Sequence, residues 1–380
     1  MLLARQGYAV LLVDRARFPS DTVSTHLIHP PGVAALGRWG LLERLTATGC
    51  PSIDTYSFDF GPIVITGSPG SSGTASVSYC PRRTVLDALL VEAAREARVE
   101  VREGFSVSEV LTEDGAVVGI RGHSSGGPSV TERARVVIGA DGARSGVANA
   151  VAAERYQDHP VLAVAYYAYW SGFPTAQAQW VIRPGHGFGA FPTNDGLTML
   201  LVAWPYCDFA DVKKDVERRY EQALRTAYGD RLETATRETK VVGSGVANHF
   251  REPYGPGWAL VGDAGYLKDP VTAQGITDAF HDAESCAAAL GAAFSGAQPF
   301  DSAMAEYRRA RDARVQPAYD FALKIANLAE PAPPQLQELL SAIAGNQPAM
   351  NKFTSMFAGT FSPAEFFDPR HIGSLVGASP

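Results

Sequence analysis

The sequence predicts an α/β protein built around a parallel sheet. Three short apolar runs carry that prediction, because each ends in an acid: residues 8–13 before Asp14, residues 134–139 before Ala-Asp141-Gly142, and residues 258–261 before Gly262-Asp263. Apolar runs of roughly 4–8 residues mark strands covered on both faces, as parallel strands are. Helical patterns stand between and after them. Residues 83–98 place Leu86, Leu89, Leu90 and Ala94 on one stripe, and an Ala-rich helix over 275–294 follows the third run.

Length and composition set the bounds. The chain has 380 residues, 46% hydrophobic and 19% charged, enough for a sizeable core in one large domain or a few small ones. Disordered, collagen-like and disulfide-framework classes are excluded. Lysine and arginine number 33 against 40 acids, a net charge of −7 with no basic block. Nucleic acid and anionic membranes are therefore not the expected partners. Cys50, Cys80, Cys207 and Cys286 stand far apart without metal spacing. His26-Leu-Ile-His29 offers two ligands but no third, and Pro30 breaks any helix holding them, so no metal is expected. No apolar run reaches the roughly 18 residues of a membrane span, and the start lacks a signal-peptide pattern. A reduced, cytoplasmic monomer or homodimer acting on a small molecule is the expectation.

The chain opens on the last turns of a helix over residues 1–6, stopped by Gly7, and the strand over 8–13 then closes on Asp14. Helix, glycine, buried strand and terminal acid form the second half of a dinucleotide-binding βαβ unit. There the acid binds the adenosine ribose about 20 residues after a glycine-rich phosphate loop. That distance back from Asp14 falls before Met1, so the first strand and its loop are expected to be absent and the grip on a pyrophosphate weaker. A solvated acid is the alternative for Asp14. Gly243-Ser-Gly245-Val-Ala-Asn248 and residues 68–73 are glycine-rich, but the first ends in Asn before a loop and the second lacks Lys-Ser/Thr.

Pro30-Pro31 begins a helix over 30–45, apolar at Val33, Leu36 and Leu41. Residues 53–66 and 75–80 alternate as strands. After the helix over 83–98, residues 100–102, 106–112 and 117–121 are strands, with an Asp114-Gly115 hairpin turn between the last two. Strands alternate with turns over 161–204, and 211–228 is a charged surface helix. Helices dominate to about Leu328, where Glu330-Pro-Ala-Pro-Pro334 precedes a short helical tail.

Chemistry concentrates at the second and third runs. Gly142 lets the backbone turn at a strand end, where ligands of α/β sheets sit. Beyond Gly262-Asp263, Asp269-Pro270 leads through Gly275-Ile276 into a helix whose free N–H groups face a ligand. In this order, beyond the Asp14 unit, these stretches resemble the flavoprotein monooxygenases typified by p-hydroxybenzoate hydroxylase and their geranylgeranyl-reductase-type relatives, from Met1 to about Leu328.

The resemblance implies a Rossmann-like FAD-binding domain of the glutathione-reductase type, from residues 1–60, 80–158 and 250–328. A mixed β-sheet substrate domain over 61–79 and 159–249 interleaves with it, and C-terminal helices fill 329–380. It implies FAD, with Asp14 at the ribose, Val107 at the adenine, Arg83 and Asp141-Gly142 near the pyrophosphate, Gly262-Asp263 at the ribityl chain and Gly275-Ile276 at the flavin N1/C2 edge. NAD(P)H is the implied transient co-substrate. Pairing of Arg83 with Asp87, and Asp141 as a turn cap, are the alternatives. Residues 24–26 run near the flavin in related sequences, which makes His26 a catalytic candidate. Pro270 is a second, and Tyr167, Tyr169, Phe188, Ala190 and Phe191 are candidates to line the substrate. Residues 183–192 resemble the Phe-Pro substrate motif of the reductase-like branch, with Ala190 where Trp is usual. The Trp-x-Trp-x-Ile-Pro string of halogenases is missing. The implied activity is hydroxylation of a small aromatic or polyketide-like molecule with NAD(P)H and O₂. A flavin-dependent C=C reductase, needing no O₂, and a non-catalytic chain are the alternatives.

Overall fold

The computed structural model describes residues 1–330 and 333–376. All three runs that end in acids lie in parallel pairs, two of them with each other. Leu11–Asp14 pairs with Glu100–Glu103, and Val137–Gly139 pairs with Trp258–Leu260. The two pairs belong to separate sheets, and among the described residues no strand joins them. Arg135 holds one end of the gap, its guanidinium 4.1 Å from the Phe294 ring centre and 5.8 Å from that of Tyr8. In the second pair Gly139 stands opposite Leu260, and the Val261 N–H donates to the Gly139 carbonyl at 3.0 Å. Asp141 and Gly262 therefore leave the same end of one sheet.

Phe105–Glu113, Ala116–Ser124 and Val130–Arg133 form a three-stranded antiparallel sheet. Its Asp114-Gly115 turn has φ of 50° and 80°, the two positive values a type I′ hairpin needs. An eight-stranded sheet forms the second half of the molecule, with Ala163–Ser171, Thr198–Pro205, His186–Pro192 and Ala178–Arg183 as its antiparallel centre. Tyr56–Asp59, expected on the cofactor side, instead runs parallel to Ala178–Arg183 in this sheet. Strand alternation gives the sheet two faces. Val164, Ala168, Phe188, Ala190 and Leu200 pack with Tyr220 and Leu224 of the helix Val216–Tyr228. Tyr167, Tyr169 and Phe191 point the other way.

That other face is covered by the residues expected to be a tail. Helices Pro334–Ile343 and Gln347–Phe357 contribute Leu340, Phe353 and Phe357 to one core with the sheet. The Phe58 ring stacks on Trp180 at 4.6 Å and meets Phe357 at 4.3 Å. Gln347 Nε2 donates to the Thr66 carbonyl at 3.0 Å, and Asn351 Oδ1 accepts from the Ser68 N–H at 3.1 Å. These bonds engage backbone groups along and just beyond the edge strand Val64–Gly67, which otherwise invites pairing with another chain.

The helix expected over 30–45 is two, Pro30–Arg38 and Leu42–Thr46. Gly40 at φ +72° ends the first, with Gly40 N–H bonded to Gly37 O and Leu41 N–H to Leu36 O, a Schellman closure that periodicity alone does not reveal. Gly243 lies in the strand Val242–Gly245, where a side chain would run into the Ala165 carbonyl; the glycine serves close strand packing. Gly32 serves close helix packing. A Cβ there would lie 2.8 Å from both Ile28 Cγ2 and Thr277 Oγ1, the latter on the helix Gly275–Phe294. Gly32→Ala is expected to cost roughly 1–3 kcal/mol in denaturant unfolding; a loss below about 0.5 kcal/mol would show that the helices separate freely.

Candidate cofactor and active site

The Gly262–Ala264 turn follows the strand Trp258–Leu260 and packs on the helix Gly275–Phe294. Gly262 takes φ +57°, and a Cβ on it would sit 3.2 Å from Ala279 Cβ, so glycine permits both the turn and the approach. Its N–H donates to Asp282 Oδ2 at 3.0 Å, and Arg314 Nη2 meets Asp282 Oδ1 at 2.6 Å. Asp263, next in the turn, makes no hydrogen bond or ion pair among the described residues and is open to solvent. Yet enough protein surrounds it that burial pushes its carboxyl up to about 6, opposed chiefly by the Arg83 charge. An acid so crowded, open to solvent and without a partner is free to accept from a ligand.

The helix Gly275–Phe294, which packs on this turn, starts in the open. The Asp278 N–H is bonded to the Gln274 carbonyl, while no side chain caps the helix and a Cβ on Gly275 would meet nothing within 4 Å. Its first N–H groups thus face open space, a ready site for negative charge. Gln274 is fixed from both sides. Its Oε1 accepts from Lys268 Nζ at 2.7 Å, and its Nε2 donates to the Phe357 carbonyl at 3.0 Å. Lys268 also pairs with Asp278 at 2.9 Å. A cavity of about 200 Å³ lined by Gln274, Arg314, Gly359 and Phe361 adjoins this helix start. A larger one, about 540 Å³, is lined by Thr66, Gln347 and Met350 and shares no residue with the Gly262–Ala264 turn or this helix start.

His26, Tyr167 and Tyr169 are brought together. His26 is fully buried at φ +62°, a conformation costly for a residue with a side chain, and its Nε2 lies 2.7 Å from the Tyr169 hydroxyl. Its Nδ1 is buried without a partner. Burial first, then the Arg83 charge, drives its pKa down to about 3, so the ring is neutral. The same Arg83 charge also lowers the Asp263 carboxyl, so it acts on both groups. Arg83 is also held by Asp87 in two bonds of 2.8 and 2.9 Å, the pairing its sequence position allowed. Burial raises the Tyr167 hydroxyl to about 12 and that of Tyr169 further, so both remain phenols. The Arg82 guanidinium covers the Tyr169 ring at 4.8 Å.

The other sequence candidates scatter. Asp141 Oδ2 accepts from the Gly146 and Val147 N–H groups at 2.7 and 3.2 Å, at the start of the helix Gly146–Ala150 that Ser145 caps. Gly142, at φ +76°, leaves open space beside it. Asp14 accepts from the Ala16 N–H at 2.7 Å at the end of the other sheet, and Val107 is 42% exposed on the three-stranded one. Ile276 is half-buried in the first helical turn. Phe188 and Ala190 lie on the sheet face turned to Val216–Tyr228, opposite Tyr167, Tyr169 and Phe191. A pattern of aromatics in one segment does not say which of two alternating faces meets the ligand. Phe191 faces the right way but packs edge-on against Trp180 at 5.1 Å.

Pro270 begins a turn capped by Asp269, whose Oδ1 accepts from the Val271 N–H at 3.1 Å. Asp269 Oδ2 is buried without a partner, and burial raises the carboxyl to about 7 against the pull of the Val271 and Ala163 N–H groups. The folded state holds this proton more tightly than the unfolded chain, so the penalty is absent below about 3.8 and complete above about 7. Asp269→Asn is expected to stabilise the protein by about 1–3 kcal/mol at about pH 8 and negligibly at about pH 4. Equal effects at both pH values in thermal melts would contradict this.

Sequence reasoning passed over Lys268, Gln274, Arg82 and Arg311. Arg311 had a signal: it stands in the apolar row Met304, Tyr307, Val315, Tyr319 of the helix Phe300–Ile325. His29 was weighed only as a metal ligand. Its Nε2 donates to the Thr272 carbonyl at 3.0 Å, which leaves Nδ1 to accept from the Tyr56 hydroxyl at 2.6 Å. It ties the Pro270–Thr272 turn to the strand Tyr56–Asp59. Among the described residues no cluster suits a metal ion, and no helix is long and apolar enough to cross a membrane.

A sequence profile described as "FAD binding domain" matches residues 1–322. The chain is 27% identical over 303 residues to phenazine 1,6-dicarboxylic acid hydroxylase PhzS of Lysobacter antibioticus, covering 70% of this chain and 72% of that protein. It is 26% identical over 301 residues to 6-methylpretetramide 4-monooxygenase of Streptomyces rimosus, covering 74% and 69%. The myxobacterial chondrochloren halogenase CndH has the same fold, with a TM-score of 0.79 at 22% identity over 99% of this chain and 92% of that one. With more than four-fifths of its residues matched by the profile, the chain belongs to the FAD-binding-domain family and is an FAD-dependent oxidoreductase.

Proposed function

We propose that this protein is an FAD-dependent monooxygenase that uses NAD(P)H and O₂ to hydroxylate a small aromatic or polyketide-like molecule. The observation that carries the reading is the Asp263 carboxylate, crowded by protein, open to solvent and uncommitted, beside an open helix start. That arrangement suits a ribityl chain and an electron-rich ring edge. Asp263 accepts from the ribityl hydroxyls, and the N–H groups at Gly275 and Ile276 stabilise negative charge. Gly142 leaves room along the neighbouring strand end, and Asp14 serves the ribose. The flavin supplies the redox chemistry, accepting hydride and activating O₂.

The chain's own part is to place the substrate and control protons. Neutral His26 shares a hydrogen bond with Tyr169 at 2.7 Å and keeps Nδ1 free, while Tyr167 and Arg82 enclose the same spot. This cluster orients a hydroxylated ring and holds its proton without adding a protein nucleophile. The names of the hydroxylase and monooxygenase relatives support an aromatic substrate class.

The test is oxygen uptake by flavin-loaded protein with NADH or NADPH and a panel of phenolic and polyketide-like aromatics. Substrate-stimulated uptake with a product heavier by one oxygen is expected. Reduction of a C=C bond under anaerobic conditions, with no oxygenated product in air, would replace this reading with the reductase.

A further inference from the structure

We propose that Arg155, His249 and Arg251 form a subsite for a phosphate oxyanion beside the Asp263 turn. Arg155 and Arg251 are direct partners across the antiparallel pair Arg155–His159 and Asn248–Arg251. Strand alternation puts His249 on the face of Arg251, while Tyr156 and Phe250 stack on the opposite face at 5.4 Å. Two like charges directly opposite repel unless something neutralises them. The Arg155 side chain makes no hydrogen bond or ion pair among the described residues, and Arg251 uses its side chain only to donate from Nη1 to the Ala264 carbonyl at 2.9 Å. His249 is 1% exposed, with no partner for either ring nitrogen. A buried imidazole left so is rare without a ligand or ordered water.

The nearby acids do not fill the site. Asp158 is the acid felt by His249 and Asp141 the one felt by Arg251. Asp141 already accepts from the Gly146 and Val147 N–H groups through Oδ2. Two guanidinium forks and an imidazole match the several acceptor oxygens of a phosphate better than a single-atom halide. Arg155 is exposed and supplies the accessible side. The backbone places the subsite at the cofactor turn, since the Arg251 N–H donates to the Gly265 carbonyl at 2.8 Å. A nicotinamide nucleotide and free phosphate share the required chemistry. Use by the nucleotide rests on the proposed function; the subsite itself does not.

The test is a titration of inorganic phosphate into protein whose flavin content is verified by absorbance, followed by calorimetry and by the His249 ring resonances. Saturable binding that shifts those resonances is expected, weakened roughly tenfold or more by Arg155→Gln and partly restored by Arg155→Lys. NADPH displacing phosphate identifies the nucleotide as the source; failure to displace identifies free phosphate. Absence of binding, or binding that Arg155→Gln leaves unchanged, overturns the proposal. So does binding confined to flavin-free protein, because the oxyanion would then be the flavin's own.

Discussion

Asp263→Ala is expected to weaken FAD binding by roughly 10- to 150-fold, the cost of about 1.5–3 kcal/mol for charge-assisted hydrogen bonds to ligand hydroxyls. Flavin fluorescence titration reads this directly. Affinity in the unaltered protein should also fall as pH drops through about 6, where this carboxyl takes up its proton, loses its charge and accepts more weakly. Asp263→Asn should abolish that pH dependence. The sign for stability is opposite. Because the folded state raises this pKa from 3.8 to about 6, the flavin-free protein carries a penalty that is absent below the lower value and full above the higher. Replacing Asp263 should therefore raise the melting temperature of flavin-free protein slightly above about pH 6 while lowering affinity. A variant that binds FAD as tightly as the original, at every pH, would remove Asp263 from the cofactor site.

Arg311→Leu carries the largest expected loss of stability, about 3–5 kcal/mol. Arg311 is 1% exposed in the middle of the helix Phe300–Ile325. Its Nη2 donates to the Tyr156 hydroxyl at 2.7 Å and the Arg251 carbonyl at 3.1 Å, its Nη1 to the Gly265 carbonyl at 3.3 Å, and its Nε to Asp312 at 2.9 Å. Leucine fills the volume but removes these donors; the Gly265 carbonyl keeps only the Arg251 N–H at 2.8 Å, and Asp312 keeps the Tyr156 hydroxyl at 2.7 Å. The bonds to the Arg251 and Gly265 carbonyls, with the Leu260 carbonyl held by the Tyr307 hydroxyl at 2.8 Å, fix the strand and turn that present Asp263. A fall in melting temperature of roughly 6–15 °C is expected, with weaker flavin binding beside it. Arg308→Gln is the control, since Arg308 pairs with Glu252 near the surface and should cost less than about 0.5 kcal/mol. Equal losses in the two variants would mean that Arg311 is not the brace its bonds imply.

Much of this was legible in one dimension. Continuous apolar runs located the parallel strands, the Asp114-Gly115 pair located a hairpin, and the Ala-rich segment located the helix Gly275–Phe294 to the residue. The Gly-Asp and Asp-Gly strand ends marked where the backbone must turn, as it does at Gly142 and Gly262 with positive φ. His26 stood out only through resemblance, yet lies beside Tyr167 and Tyr169.

Local pattern determined where most strands and helices run and where the backbone must turn at the strand ends. Tertiary structure alone decided which sheet face Phe188 and Ala190 occupy, that Arg83 answers to Asp87, Asp263 and His26 at once, and that helices after residue 333 belong to the core. The reason is range. Backbone preference and apolar periodicity act over a few residues, whereas burial, charge and hydrogen-bond satisfaction at Asp263 or Arg311 depend on groups brought together from distant parts of the chain.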